Sequence, residues 1–192
     1  MTDKILILQA NPDPSPERFG RALAAAYREG AEAAGHEVRT VDLALLEIPP
    51  LRSKADHDSG SVPASLAEAQ QALVWADHIV IVFPLWLGGM PAMLKGFLEQ
   101  VLRPGFAYEV EKGWKRLLTG RSARIVVTMG MPALAYRLWF GGHGVKQLER
   151  SILRFVGIAP VRTTLIGRIE AMEGEERARW LTRMRGLGRG AR

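Results

Sequence analysis

Cysteine is absent from the 192-residue chain, which excludes a disulfide framework, a thiolate nucleophile and a thiolate metal site. Long hydrophobic runs are scarce as well. The longest uncharged stretch, Ile79 to Leu94, is broken by Pro84, Gly88, Gly89 and Pro91, whereas a membrane helix needs ~20 predominantly apolar residues. The amino terminus, MTDKILILQANP, has no long apolar segment and no small-residue cleavage pattern, so it does not read as a signal peptide. Nucleotide fingerprints are missing too: no G-x-G-x-x-G follows the first apolar run and no G-x-x-x-x-G-K-[ST] occurs anywhere, which removes the standard dinucleotide and nucleoside-triphosphate loops. No G-x-S-x-G marks a hydrolase serine. The four histidines, His36, His57, His78 and His143, show no ligand spacing, so no metal site is expected.

Acidic residues are absent from one place in particular. Residues 177–192 hold six arginines and no acid. Of 26 basic residues, the other 20 face 20 acidic ones in positions 1–176, so the net charge of +6 belongs to the carboxyl-terminal end. A neutral body without aromatic interleaving in the basic stretch gives no nucleic-acid signature. That stretch reads either as a frayed, solvated end or as a contact for an acidic protein or anionic lipid. With 47% hydrophobic and 24% charged residues, the composition is that of a folded globular chain. A soluble, cytoplasmic protein is expected, organised as a single domain over 1–176 with a basic helix end and tail over 177–192.

Periodicity supplies the architecture. Lys4 to Leu8 predicts a buried strand, Gln9 to Glu17 a loop dense in Pro, Asn, Asp and Ser, and the stripe Phe19, Ala22, Leu23, Ala26, Tyr27 a helix stopped at Gly35. A strand over Glu37 to Leu43 precedes a long connection, Leu45 to Gly60. Ser65 with Glu68 resembles a capping box ahead of a helix ending near Asp77. A strand from His78 to Phe83 is followed by a turn and by a helix that Pro91 starts and Arg103-Pro104-Gly105 stops. Its face, Leu94, Phe97, Leu98, Val101 and Leu102, repeats at helical spacing. A strand over Arg124 to Thr128, a long loop to Gly144, a helix through Val145, Leu148, Ile152 and Val156, a strand over Thr163 to Ile166 and a terminal helix over Glu175 to Arg185 complete the chain. Strands alternating with helices predict an α/β fold: an open five-stranded parallel sheet in the order 2-1-3-4-5, with helices on both faces.

In such a sheet a ligand lies beyond the carboxyl ends of the strands, where the strand order reverses between the first and third. Three loops meet there: Gln9 to Arg18, Pro84 to Met90 and Met129 to Gly144. In the first, Ser15 offers a hydroxyl, Arg18 a cation and the following helix its amino-terminal N–H groups for phosphate. In the second, Gly88 and Gly89 permit close approach of the backbone while Pro84 and Pro91 pin the ends. Exposed N–H groups there would suit a flat ring that carries carbonyls and gains negative charge on reduction. A tight strand-to-helix turn with a buried Trp86 satisfies the same composition. Met90, Met93, Met129 and Met131 read as adaptable packing around the pocket.

FPLWLGGMPAMLKG, RPGFAY and VTMGMPALAYRLWFGGHG resemble the flavodoxin-like NAD(P)H:quinone oxidoreductase family, which includes the bacterial drug-activity-modulator and potassium-efflux ancillary proteins. The resemblance runs from the first strand to about Gly167. It implies FMN, with FAD as the alternative, reduced by NADPH or NADH and reoxidised by a quinone-like acceptor in a ping-pong cycle. The short chain leaves little structure for an adenosine arm, which favours FMN. The resemblance further implies phosphate contacts from Asn11, Ser15, Arg18 and Phe19. It implies ring contacts from Pro84, Leu85, Trp86, Leu87, Gly88 and Gly89 on one edge and Thr128, Met129, Gly130 and Met131 on the other. Tyr136 and His143 would handle the proton and charge of hydride transfer. Phe106 and Tyr108 would reach the partner subunit's pocket in a homodimer, or else pack as a short edge strand in their own chain. A second reading is a regulatory flavoprotein subunit docking on a membrane transporter or another partner.

Overall fold

The structure, a computed structural model, describes residues 2–111 and 113–191. The first half of the chain carries β1 (Lys4–Gln9), α1 (Phe19–Ala33), β2 (Glu37–Asp42), α2 (Lys54–Asp58), α3 (Ala67–Trp75), β3 (His78–Pro84) and α4 (Ala92–Val101). Then come β4 (Tyr108–Glu109), β5 (Lys115–Arg116), β6 (Ser122–Thr128), α5 (Ala133–Leu138), α6 (His143–Lys146), α7 (Arg154–Val156), β7 (Val161–Ile166) and α8 (Gly174–Arg189). A π-helical segment, Gln147–Leu153, joins α6 to α7.

The main sheet is parallel throughout, in the order β2-β1-β3-β6-β7. This is the expected 2-1-3-4-5 order once β4 and β5, a separate two-stranded hairpin, are set aside. β3 shows why its residues form a central strand. Ile79, Ile81 and Phe83 belong to the core beneath α3, α4 and the helix after α6, and Val80 and Val82 to the core beneath α1 and α8. A strand covered on both faces needs apolar residues at every position.

Several elements depart from the sequence reading. Strands β6 and β7 each begin two residues earlier than expected. The long connection holds α2, capped by Ser53, whose side chain accepts from the Asp56 N–H. The capping box does not form: Ser65 Oγ donates to the Glu47 carbonyl at 2.8 Å, and α3 begins at Ala67 with no side-chain cap. The hydroxyl ties down the long connection instead.

The buried Arg103, 1% exposed, performs a similar task at the end of α4. It donates to the Gln100 side chain and to the Asp56 carbonyl, and Gln100 donates to the Pro49 carbonyl at 2.7 Å. Together they anchor residues 49–56 to the carboxyl-terminal end of α4.

The terminal helix does not stop at Gly186. It runs to Arg189 and lies against α1, burying Met184 and Gly188. A Cβ on Gly188 would overlap the Tyr27 carbonyl oxygen, and one on Gly30 would overlap that of Arg185. The two glycines therefore let the helix backbones touch, and this packing overrides the propensity of Gly186 to end the helix. Three arginine side chains of the basic end make contacts within the chain. Arg177 donates to the carbonyls of Ile169 and Met172, Arg185 pairs with Glu29 at 2.7 Å, and Arg183 lies over the Trp180 ring. Arg192 lies outside the described residues.

Candidate active site at the carboxyl ends of the strands

The turn after β3 is a miniature hairpin. The Trp86 N–H donates to the Gly89 carbonyl at 3.0 Å and the Gly89 N–H returns the bond to Trp86 at 2.9 Å. Leu87 and Gly88 at its tip both have positive φ, 46° and 79°. Positive φ at both central positions suits Gly88 and strains Leu87. The Leu85 N–H is taken by the Thr128 carbonyl at 2.8 Å, which extends the β3–β6 pairing past Pro84. Of the five N–H groups from Leu85 to Gly89, then, three are consumed inside the chain. Leu87 and Gly88 keep theirs free of any partner among the described residues. Trp86 is half exposed and not buried, and Leu87 projects fully into solvent. A Cβ added at Gly89 would meet open space.

The loop after β6 locks this turn in place. Part of it folds as α5, where a continuous loop is expected from sequence, and α5 points Tyr136 inward while Leu134 and Leu138 face out. The Tyr136 hydroxyl donates to the Gly88 carbonyl at 3.2 Å and accepts from the Val145 N–H at 3.2 Å. Tyr136 is only 1% exposed. Next to it Gly144 lies against the same turn, because any Cβ there would overlap the Gly88 carbonyl oxygen and crowd Gly89. His143 is exposed at the start of α6. Its ring lies close over Gly141, where a Cβ would crowd the imidazole. Met129 is buried, Met131 is partly exposed, and Gly130 faces the Glu170 carboxylate, whose Oε1 would lie 3.3 Å from a Cβ there. Thr128 is buried at the end of β6.

The first loop is built from two successive side-chain turns. Asn11 Oδ1 accepts from the Asp13 N–H at 3.1 Å, and Asp13 Oδ1 accepts from the Ser15 N–H at 2.9 Å. Asp13 Oδ2 takes the Arg18 Nε–H at 2.5 Å. These bonds from Ser15 and Arg18 hold the Asp13 carboxyl below its ordinary range. Of the donors assigned to phosphate in this loop, the Arg18 guanidinium is thus engaged by an internal carboxylate, as is the backbone N–H of Ser15. Phe19 is buried at the head of α1, with the Arg177 guanidinium 4.8 Å from its ring centre. Beyond the loop, Arg21 pairs with Asp42 at the end of β2.

Phe106 and Tyr108 are not brought to these loops within one chain. Tyr108 pairs through its backbone with Arg116, its ring packs edge-on to Phe155, and its hydroxyl lies 3.3 Å from His57 Nε2. It lines a groove with Leu98, Leu102 and Phe155, where burial raises its hydroxyl pKa. Among the described residues no three His, Cys, Asp or Glu side chains cluster as a metal site, and no helix is long and apolar enough to cross a membrane.

Two contributors escaped the sequence reading. Asp13 was legible in principle, since N-P-D-P-S places an acid two residues before Ser15, the spacing of a side-chain turn. Gly144 carried no signal of its own, because its role depends on a backbone some 55 residues away in sequence that only the fold brings near. A flavin fits what is present. Two free N–H donors sit on a rigid turn, and there is open space beside Gly89 for the edge of a flat ring.

Comparison with known proteins identifies the family. An NAD(P)H oxidoreductase of Haemophilus influenzae, itself uncharacterised, is 30% identical over 177 residues, covering 90% of this chain and 87% of that one. An FMN-dependent NADH:quinone oxidoreductase of Beijerinckia indica is 28% identical over 142 residues, covering 68% of this chain and 69% of its own. The crystal structure of Smu.1420 from Streptococcus mutans superposes with a TM-score of 0.85 at 29% identity, covering 97% of this chain and 99% of that chain. The family described by its flavodoxin-like fold matches residues 3–185, and the chain belongs to it.

Proposed function

We propose that the chain is a flavin-dependent NAD(P)H oxidoreductase that takes FMN at the β3 turn and passes electrons to a quinone or similar acceptor. The observation that carries this reading is the pair of N–H groups on Leu87 and Gly88 that have no partner among the described residues, set at the point where the strand order reverses. The names of the relatives support the nicotinamide donor, the quinone acceptor and FMN over FAD. When bound, the flavin supplies two-electron hydride chemistry between donor and acceptor.

The chain's own residues then have distinct tasks. The N–H groups of Leu87 and Gly88 would offer fixed donors to the ring, stabilising negative charge on it without a titrating side chain. Pro84, Leu85, Trp86 and Gly89 would shape the wall on that side, with Thr128 paired beside Pro84 and Met129 buried behind it, and Gly130 and Met131 would flank the ring from the next loop. Tyr136, buried and bonded on both sides, is a positioning residue that fixes Gly88. His143, exposed at the mouth, is the group placed to exchange a proton with water or acceptor. Asn11, Ser15, Arg18 and Phe19 form the phosphate end, where an incoming phosphate competes with Asp13. Phe106 and Tyr108 complete the pocket of a second subunit in a homodimer, which accounts for their distance from the turn in their own chain. The reading places the enzyme in the cytoplasm.

Flavin titration and anaerobic reduction by NADH and NADPH test the assignment. Saturable FMN binding followed by loss of flavin colour supports it, and absence of binding refutes it. Sedimentation equilibrium with and without FMN tests the dimer.

A further inference from the structure

Gln9, the last residue of β1, is 3% exposed, and its Oε1 has no hydrogen-bond partner among the described residues. An amide oxygen taken out of water without a donor is costly, and the four residues before it in the strand, Ile5, Leu6, Ile7 and Leu8, are all apolar. Alternation along the strand sets Gln9 on the α1 face of the sheet with Ile5 and Ile7. There it lines a cleft of about 190 Å³ between α1 and the edge strand β2. The helix presents only Ala24 and Ala25 to this space, side chains too short to fill it.

The charges that line the cleft are matched. Arg21 makes a two-point pair with Asp42 at the end of β2, and Arg28 pairs with Glu32 at 2.6 Å on its own helix. An entering ion meets no uncompensated charge, so the group left wanting is the neutral amide. A primary amide sets one acceptor beside two donors, and a half-turn about its soft last torsion exchanges the two ends. Its complement is a group with an N–H and a C=O on one edge. Ile7 and Ala24 offer an apolar wall to the face of a small ring, guanidinium planes such as those of Arg21 and Arg28 stack on flat rings, and Thr40 adds an exposed hydroxyl at the rim.

We propose that this cleft between α1 and β2 binds a small neutral ring with a lactam edge, held by paired hydrogen bonds to the Gln9 amide. At about 190 Å³ it lies below the ~300–1,000 Å³ of pockets that take drug-sized ligands, so it suits a single ring and not a tricyclic flavin. The site is separate from the one at the β3 turn. Arg21 also donates to the Asp13 carbonyl at 3.2 Å, so the cleft borders the first loop, but Asn11, Ser15 and Arg18 do not line it.

Uracil, one ring with a lactam edge, is the probe, and 1,3-dimethyluracil, which keeps the ring and carbonyls but has no N–H, is the control. Each is titrated calorimetrically into the full chain, first alone and then with saturating FMN. The arm without FMN reads the cleft whether or not the chain takes flavin. Saturable uracil binding is expected in both arms, with the dimethyl compound roughly tenfold weaker. Gln9→Leu keeps the bulk of the side chain and removes the amide. It should weaken uracil roughly tenfold, with the unfolding temperature unchanged or raised, because a buried polar group without a partner is removed. Ala25→Leu, on the exposed side of α1, should fill the cleft and weaken uracil as well. Equal binding of the two compounds, unchanged uracil binding in either folded variant, or displacement of uracil by FMN overturns the proposal. So does the absence of saturable uracil binding, which would leave water to serve the amide.

Discussion

The hydroxyl of Tyr136 donates to the carbonyl oxygen of Gly88 across 3.2 Å, joining the loop after β6 to the turn after β3. The same hydroxyl accepts from the Val145 N–H, so one side chain fixes a turn and the start of a helix. Tyr136→Phe leaves the buried Val145 N–H without its partner, which costs about 1–3 kcal/mol. The unfolding temperature should fall by a few degrees. Because Gly88 is released, FMN affinity should fall as well, by a factor to be read from fluorescence titration.

Gly89 and Gly144 offer contrasting substitutions. A Cβ at Gly89 meets nothing in the protein, so Gly89→Ala should leave thermal stability unchanged while weakening FMN binding, because the methyl enters the space assigned to the ring. A Cβ at Gly144 overlaps the Gly88 carbonyl, so Gly144→Ala should lower both stability and affinity. Equal affinity of wild type and Gly89→Ala for FMN would place the ring elsewhere.

Asp13 makes the phosphate end testable. At neutral pH its carboxylate holds the Ser15 N–H and the Arg18 guanidinium. Asp13→Ala should free both and remove a like charge, tightening FMN severalfold while leaving riboflavin, which lacks the phosphate, unaffected. Tightening of both ligands would mean that the loop does not meet phosphate.

His78 gives the fold a pH dependence. It is buried at the start of β3, with Nδ1 2.7 Å from Ser122 Oγ and Nε2 without a partner among the described residues. Burial first, then the fields of Arg124, Arg162 and His36, push its pKa down to about 4 from 6.5. The unfolded chain binds a proton at 6.5 that the folded chain refuses until about 4. Stability is therefore full above pH 6.5 and declines as the pH falls toward 4, by about 3 kcal/mol in total. Urea titrations across that range should show the decline, and His78→Gln should flatten it.

Gly30 and Gly188 test whether the arginine-rich helix belongs to the folded body. Alanine at either position forces the α1 and α8 backbones apart, which costs about 1–3 kcal/mol by overpacking. An unchanged unfolding temperature in both variants would mean that α8 is not docked in solution.

These residues also show what the sequence could and could not convey. The β3 strand, its following turn and the α4 face were legible because continuous apolar runs, Pro–Gly punctuation and helical spacing are local signals. The sheet order followed from alternation alone. The Ser65–Glu68 capping box failed because the Ser65 hydroxyl had a tertiary partner in Glu47. The helix α8 continues past Gly186 because docking on α1 outweighs the local propensity of glycine to end a helix. At the site, the turn was legible, but which of its N–H groups stay free was not: that depends on pairing with Thr128 and on a bond made across the turn itself.

The account rests on flavin held at the β3 turn, and FMN titration of the purified chain tests that claim most directly. It predicts saturable binding of one FMN per chain, with the yellow colour lost on addition of NADH or NADPH and restored by a quinone. A chain that shows no saturable binding of FMN or FAD, or that binds flavin equally well when Leu87 is replaced by Pro and its N–H is lost, contradicts it.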